Sequence, residues 1–98
     1  MTRESILARL KENESLLRAR GVAHAALFGS RARGDQRPGS DTDILLELAP
    51  CAQITVFDYA GLKLEVAALF DGSVDVVNRE ALKARLAAHA ARDAIYAF

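Results

Sequence analysis

Asp41 and Asp43 stand on either side of one residue at the start of an apolar run, and Gly29-Ser30 precedes them by ten residues. Alternate residues of a strand share a face, so the two carboxylates point the same way, with Cα atoms about 6.6 Å apart. Ile44, Leu46 and Leu48 then point the other way, toward a core. Carboxylates side by side repel unless a cation or a proton neutralises them. Magnesium is commonly held by one or two carboxylates together with substrate phosphates. Gly29, without a Cβ, lets the backbone turn sharply and approach a ligand, and Ser30 offers a hydroxyl and an N–H. The pattern points to a site for a metal-bound nucleoside triphosphate.

A short helix opening at Ser30 would favour an anion at its start. Arg31 and Arg33 add positive charge there, and a planar guanidinium suits phosphate. Arg37 reads as a solvated loop residue. Transfer of a phosphoryl or nucleotidyl group asks for positioning and charge neutralisation. A third carboxylate could serve as general base or further metal ligand. Asp75, within Val74-Asp75-Val76-Val77, is the candidate, because Val74 and Val76 share the opposite face. If this strand neighbours that of Asp41, the three carboxylates converge.

These elements need scaffolding. Ile6, Leu7, Leu10 and Leu17 recur at helical spacing, which predicts a helix over 2–20 with Thr2 as N-cap and Gly21 as its stop. Residues 22–28 read as a central apolar strand, in which His24 is structural. A turn-rich loop over 35–40 leads to a second strand over 41–48. Thr55 and Asp58 resemble a capping box opening a helix that runs to about Phe70, with Phe57, Ala60, Leu64 and Ala67 as its buried stripe. A third strand covers 74–77, and Asn78 caps a last helical region through Leu82 and Leu86. Ile95-Tyr96-Ala97-Phe98 could be buried within the domain or form part of a contact surface. The expected fold is α/β (α+β), a small mixed sheet with helices mainly on one face.

The 98 residues suffice for one compact domain over 1–98, with 51% hydrophobic residues to build a core. Thirteen basic residues balance thirteen acidic ones, which argues against a broad nucleic-acid surface. Cys51 is the single cysteine, and neither a signal-peptide core nor a membrane-length apolar run is present, so a cytoplasmic protein without membrane contact is expected.

Gly29-Ser30, ten residues, Asp41-Thr42-Asp43 resembles the signature of the DNA polymerase β-type nucleotidyltransferase superfamily. The short chain and the run Phe28 to Gly34 (FGSRARG) resemble its minimal nucleotidyltransferases, the MntA-like antitoxins. The resemblance covers nearly the whole chain, and no motif position departs from it. It implies a palm-like fold, phosphate contacts at Gly29 and Ser30, magnesium on Asp41 and Asp43, and Asp75 as third catalytic carboxylate. It also implies a partner, a HEPN-family ribonuclease toxin, onto whose tyrosine AMP is transferred from ATP. A non-catalytic antitoxin acting by occlusion and a small-molecule nucleotidyltransferase are the alternatives.

Overall fold

The computed structural model describes residues 2–81, 88 and 92–98. Helix α1 spans Arg3–Glu12 and begins where the Thr2 hydroxyl accepts the Ser5 N–H at 3.1 Å. That cap satisfies one of the donors a helix start leaves unpaired. The single helix expected over 2–20 is two. The Asn13 side-chain amide donates to the Arg9 carbonyl at 2.8 Å, and its N–H bonds back to Leu10. This local pairing ends α1, and α2 (Glu14–Ala19) restarts after it. Ile6, Leu10 and Leu17 are all buried.

Strand β1 (Val22–Phe28) runs antiparallel to β2 (Thr42–Leu48). A register shift between Val22 and His24 adds one residue, which brings Val22 into phase with Ala25 and Leu27 on the core face. The short helix α3 (Ser30–Arg33) lies between the two strands in sequence. Helix α4 spans Val56–Ala67, and its capping box is formed in full. Thr55 Oγ1 accepts the Asp58 N–H while Asp58 accepts the Thr55 N–H. Strand β3 (Val74–Asn78) is parallel to β2. Asn78 Oδ1 then accepts the Glu80 N–H to open a single 3-10 turn over Arg79–Ala81. Leu82 and Leu86 lie outside the described residues.

The sheet order is β3-β2-β1-β4, a mixed sheet with β1 and β2 at its centre. Strand β4 is Ile95–Tyr96, pairing antiparallel with Leu27 and Ala26. The tail thus adds a strand where only an unassigned apolar end was expected. One sheet face carries Ala25, Leu27, Ile44, Leu46 and Val76, packed against Ile6, Leu10 and Leu17 of α1 and α2 and Leu62 and Val66 of α4. Fully burying such a side chain stabilises by about 1.5–3 kcal/mol relative to exposure. Helices α1, α2 and α4 therefore cover one face, and the carboxylates of β2 and β3 project from the other, where Ala26 and Leu45 are also buried.

The buried stripe of α4 is not the expected one. Phe57 is 87% and Leu64 73% exposed, and Ala60 is exposed, whereas Leu62 and Val66 are buried. Two apolar stripes share this helix at the same period. Only the docking of Leu62 and Val66 against the sheet chooses between them. No helix among the described residues is long and apolar enough to cross a membrane.

Candidate active site

The loop between β1 and α3 brings the motif together. Phe28 ends β1 opposite Asp43 of β2, so Gly29 turns away beside that carboxylate. Its φ of 76° lies in the left-handed region, and a Cβ built there would collide with Asp43 Oδ2 and lie 3.1 Å from its Cγ. Glycine is required at this position on both counts. The close neighbour of Gly29 in the free chain is thus the aspartate, a relation the sequence spacing does not reveal.

Ser30 opens α3, and its carbonyl accepts the N–H groups of Gly34 and Asp35 at 2.9 and 3.0 Å. Those bonds close the helix after one turn. Arg3 Nη1 donates to the Ala32 carbonyl at 2.9 Å, fastening α3 to the start of α1. The role of Arg3 was not legible beforehand, because its partner lies 29 positions away.

Asp41 is exposed and stands one residue before β2, which begins at Thr42 rather than at Asp41. Thr42 is the one buried polar residue among those described, 4% exposed, and its N–H bonds to the Ser73 carbonyl at 2.9 Å. Asp75 pairs directly with Asp43 across the parallel strands. Registered neighbours on adjacent strands share a face at about 4.8 Å. Asp43 and Asp75 therefore lie side by side on the sheet face opposite α1, α2 and α4, with Asp41 near enough for its charge to act on Asp43.

Their charges interact. Burial, then the Asp75 and Asp41 charges, push the Asp43 carboxyl above its ordinary value, against the weaker pull of Arg33 and Arg31. Like charges this close favour a proton or a cation. Among the described residues, no three acidic, His or Cys side chains close into a metal cage by themselves. The donor set is nevertheless all oxygen, and a magnesium ion shared with phosphates needs only one or two protein carboxylates. The residues fit such an ion on those terms.

The two arginines differ. Arg33 is ion-paired to Asp35 at 3.1 Å and to Asp93 at 3.0 Å, and those two carboxylates raise its guanidinium further above its ordinary range. Asp93, 60 positions away, carried no signal in the sequence. Arg31 is half-buried and donates from Nη2 to the Ser40 carbonyl at 2.9 Å. Arg37 is exposed, as expected of a solvated loop. His24, given no chemical role, lies edge-on to Tyr96 with ring centroids 6.1 Å apart. On the same sheet face as Asp43, Glu47 accepts from Arg79 and from the Tyr96 hydroxyl.

Known proteins share this sequence pattern and fold. The model of the Nucleotidyltransferase domain family matches residues 4–97. The protein adenylyltransferase MntA of Thermococcus cleftensis is 32% identical over 99 residues, spanning 98% of this chain and 96% of that protein. A solved structure of a candidate minimal nucleotidyltransferase superposes with a TM-score of 0.78 at 36% identity, covering 97% of this chain and 95% of that one. A chain from the complex of a tri-AMPylated Shewanella oneidensis HEPN toxin with an MNT antitoxin shares the fold, with a TM-score of 0.62 at 22% identity over 91% of this chain and 70% of its own. Nearly every residue of the chain is included in these matches, the carboxylate strands and the Gly-Ser turn among them, and the chain belongs to the nucleotidyltransferase domain family.

Proposed function

We propose that this chain is a magnesium-dependent protein adenylyltransferase, an antitoxin that transfers AMP from ATP to a tyrosine hydroxyl of a partner HEPN-family toxin. The observation that carries the reading is the register of Asp75 beside Asp43, with the Gly29 turn pressed against that same carboxylate. The likeness to MntA along almost the whole chain supports protein as the acceptor class. The AMPylated HEPN toxin found with an MNT antitoxin supports the partner.

In this reading Asp41 and Asp43 hold magnesium, joined by Asp75. The ion, when bound, neutralises the triphosphate and the developing charge of the leaving group. Gly29 and Ser30 bind the phosphates, and Arg31 and Arg33 add positive potential beside them. Asp75 takes the proton from the acceptor hydroxyl. That oxygen forms a bond to the α-phosphorus as the bond from phosphorus to the bridging β-phosphate oxygen breaks. Pyrophosphate leaves and AMP stays on the acceptor. Asp41 and Asp75 are exposed, within reach of an approaching protein. A single domain over residues 1–98 does this work, in the cytoplasm, where ATP and a ribonuclease toxin meet.

The test is transfer of label from α-labelled ATP, with magnesium, to the co-purified toxin. The Asp41→Asn/Asp43→Asn double variant and Asp75→Asn run alongside. Label on the toxin that disappears in the double variant is expected. Transfer at the wild-type rate without both aspartates would end the metal assignment. Tight toxin binding with no transfer, under conditions where ATP binds, would favour neutralisation by occlusion.

A further inference from the structure

Arg31 sits on α3, within the motif, yet its directed hydrogen bond goes to the protein itself. Nη2 donates to the carbonyl of Ser40, the residue immediately before Asp41, at 2.9 Å in a partly buried setting. Ser40 also closes the preceding turn. Its N–H bonds to the Arg37 carbonyl at 2.9 Å, and its Oγ accepts the Arg37 N–H at 2.8 Å. On the other side of Asp41, the Thr42 N–H is held by Ser73. Asp41 itself is exposed. Its backbone is therefore gripped on both flanks, by the residue just before β3 on one side and by a guanidinium on the other.

Behind that guanidinium stands a second. Arg3 ties the Ala32 carbonyl to the first turn of α1, so the path runs from α1 through α3 to the residue before Asp41. A guanidinium bond to a half-buried carbonyl is charge-assisted, and such bonds are about twice as strong as neutral ones. The geometry points to Arg31 as a positioning residue. We infer that it holds the loop of residues 35–40 so that Asp41 stays beside Asp43, with Arg3 bracing it. This deepens the adenylyltransferase reading and rests on it for the consequence in catalysis, but the mechanical claim stands separately.

The experiment reads both. Amide hydrogen exchange of the full chain is compared for wild type, Arg31→Ala, Arg31→Lys and Arg3→Ala, with circular dichroism as a check on folding. Arg31→Ala is expected to speed exchange of the Ser40 and Thr42 amides at least tenfold while amides in the middle of β1 are unchanged. Arg31→Lys, which keeps one donor, recovers part of the protection. Arg3→Ala moves the same amides by a smaller factor. With the toxin present, Arg31→Ala should lower kcat for label transfer at least tenfold. Its dissociation constant for a non-hydrolysable ATP analogue should rise by less than about fivefold, from the loss of one nearby positive charge. Unchanged exchange at Ser40 and Thr42 would overturn the proposal, whatever transfer does. So would unchanged exchange together with a tenfold weaker analogue affinity, which would make Arg31 a ligand contact. Absence of transfer in the wild type would count against the adenylyltransferase reading and leave the exchange result to judge Arg31.

Discussion

Replacing Asp43 by asparagine should stabilise the metal-free protein while removing its chemistry. Asp43 and Asp75 are registered neighbours on parallel strands, at about 4.8 Å. Two unit charges at that spacing repel by about 0.9 kcal/mol in bulk water and about 3.5 kcal/mol at an effective dielectric of 20. Asp43 is only half-buried and Asp75 is exposed, so solvent screening favours the lower end, about 1 kcal/mol. For a domain of this size, that raises Tm by roughly 4 °C or somewhat more.

The pH dependence has a definite sign. The folded-state value of Asp43 is raised above its ordinary 3.8. Above that raised value the ionised group costs stability. As pH falls through it, the native state takes up a proton before the unfolded chain does, and the cost declines. Asp43→Asn should therefore gain most near pH 7, and the gap should close only below about pH 3.5, under the ordinary value of the unfolded carboxyl. Thermal unfolding followed by circular dichroism, with a chelator present, measures this. A lower Tm for the variant at pH 7, or a gap that widens as pH falls, would refute the repulsion argument. Adding magnesium with an ATP analogue should raise the wild-type Tm by much more than that of the variant.

Gly29→Ala combines a left-handed backbone with a collision at Asp43 and should cost about 1–3 kcal/mol. Urea denaturation showing a change under about 0.5 kcal/mol would disprove the close approach, on the scale of ordinary surface substitutions. Glu47→Gln removes the partner of Arg79 and, with both side chains partly solvated, should cost about 0.5–1 kcal/mol at pH 7. Burial opposes the ionisation of Glu47, but the Tyr96 hydroxyl and the Arg79 guanidinium outweigh it and hold the carboxyl below its ordinary 4.5. That stability is present above the ordinary value and is lost as pH falls through the lowered one. The Tm difference between wild type and Glu47→Gln should be constant above about pH 5 and shrink below it.

What the sequence by itself determined is local. The Thr2 cap, the Thr55–Asp58 capping box, the Gly-Ser turn and the alternation of Asp41 and Asp43 each depend on residues a few positions apart. Their geometry is fixed by backbone stereochemistry; the structure keeps the two caps and the Gly-Ser turn, and sets Asp41 one residue ahead of the strand that carries Asp43. The strand sequence over Val22–Phe28 was equally legible, because an unbroken apolar run has few other places to go.

Tertiary structure decided the rest. The choice between Leu62–Val66 and Phe57–Leu64 as the buried stripe of α4 turned on which ridge met the sheet, since both recur at helical period. Ile95–Tyr96 is too short for a period-two signal and is a strand only because β1 offers it an edge. The break at Asn13 came from a side chain competing for the helix's own carbonyl. In the site, chain spacing could say that Asp41 and Asp43 share a face, but not that Asp75 would stand beside Asp43. Nor could it say that Asp93 would take up Arg33, or that Arg31 would turn to Ser40. Strand register and long-range pairing belong to the assembled sheet, where contacts are chosen by what packs together rather than by what is near in sequence.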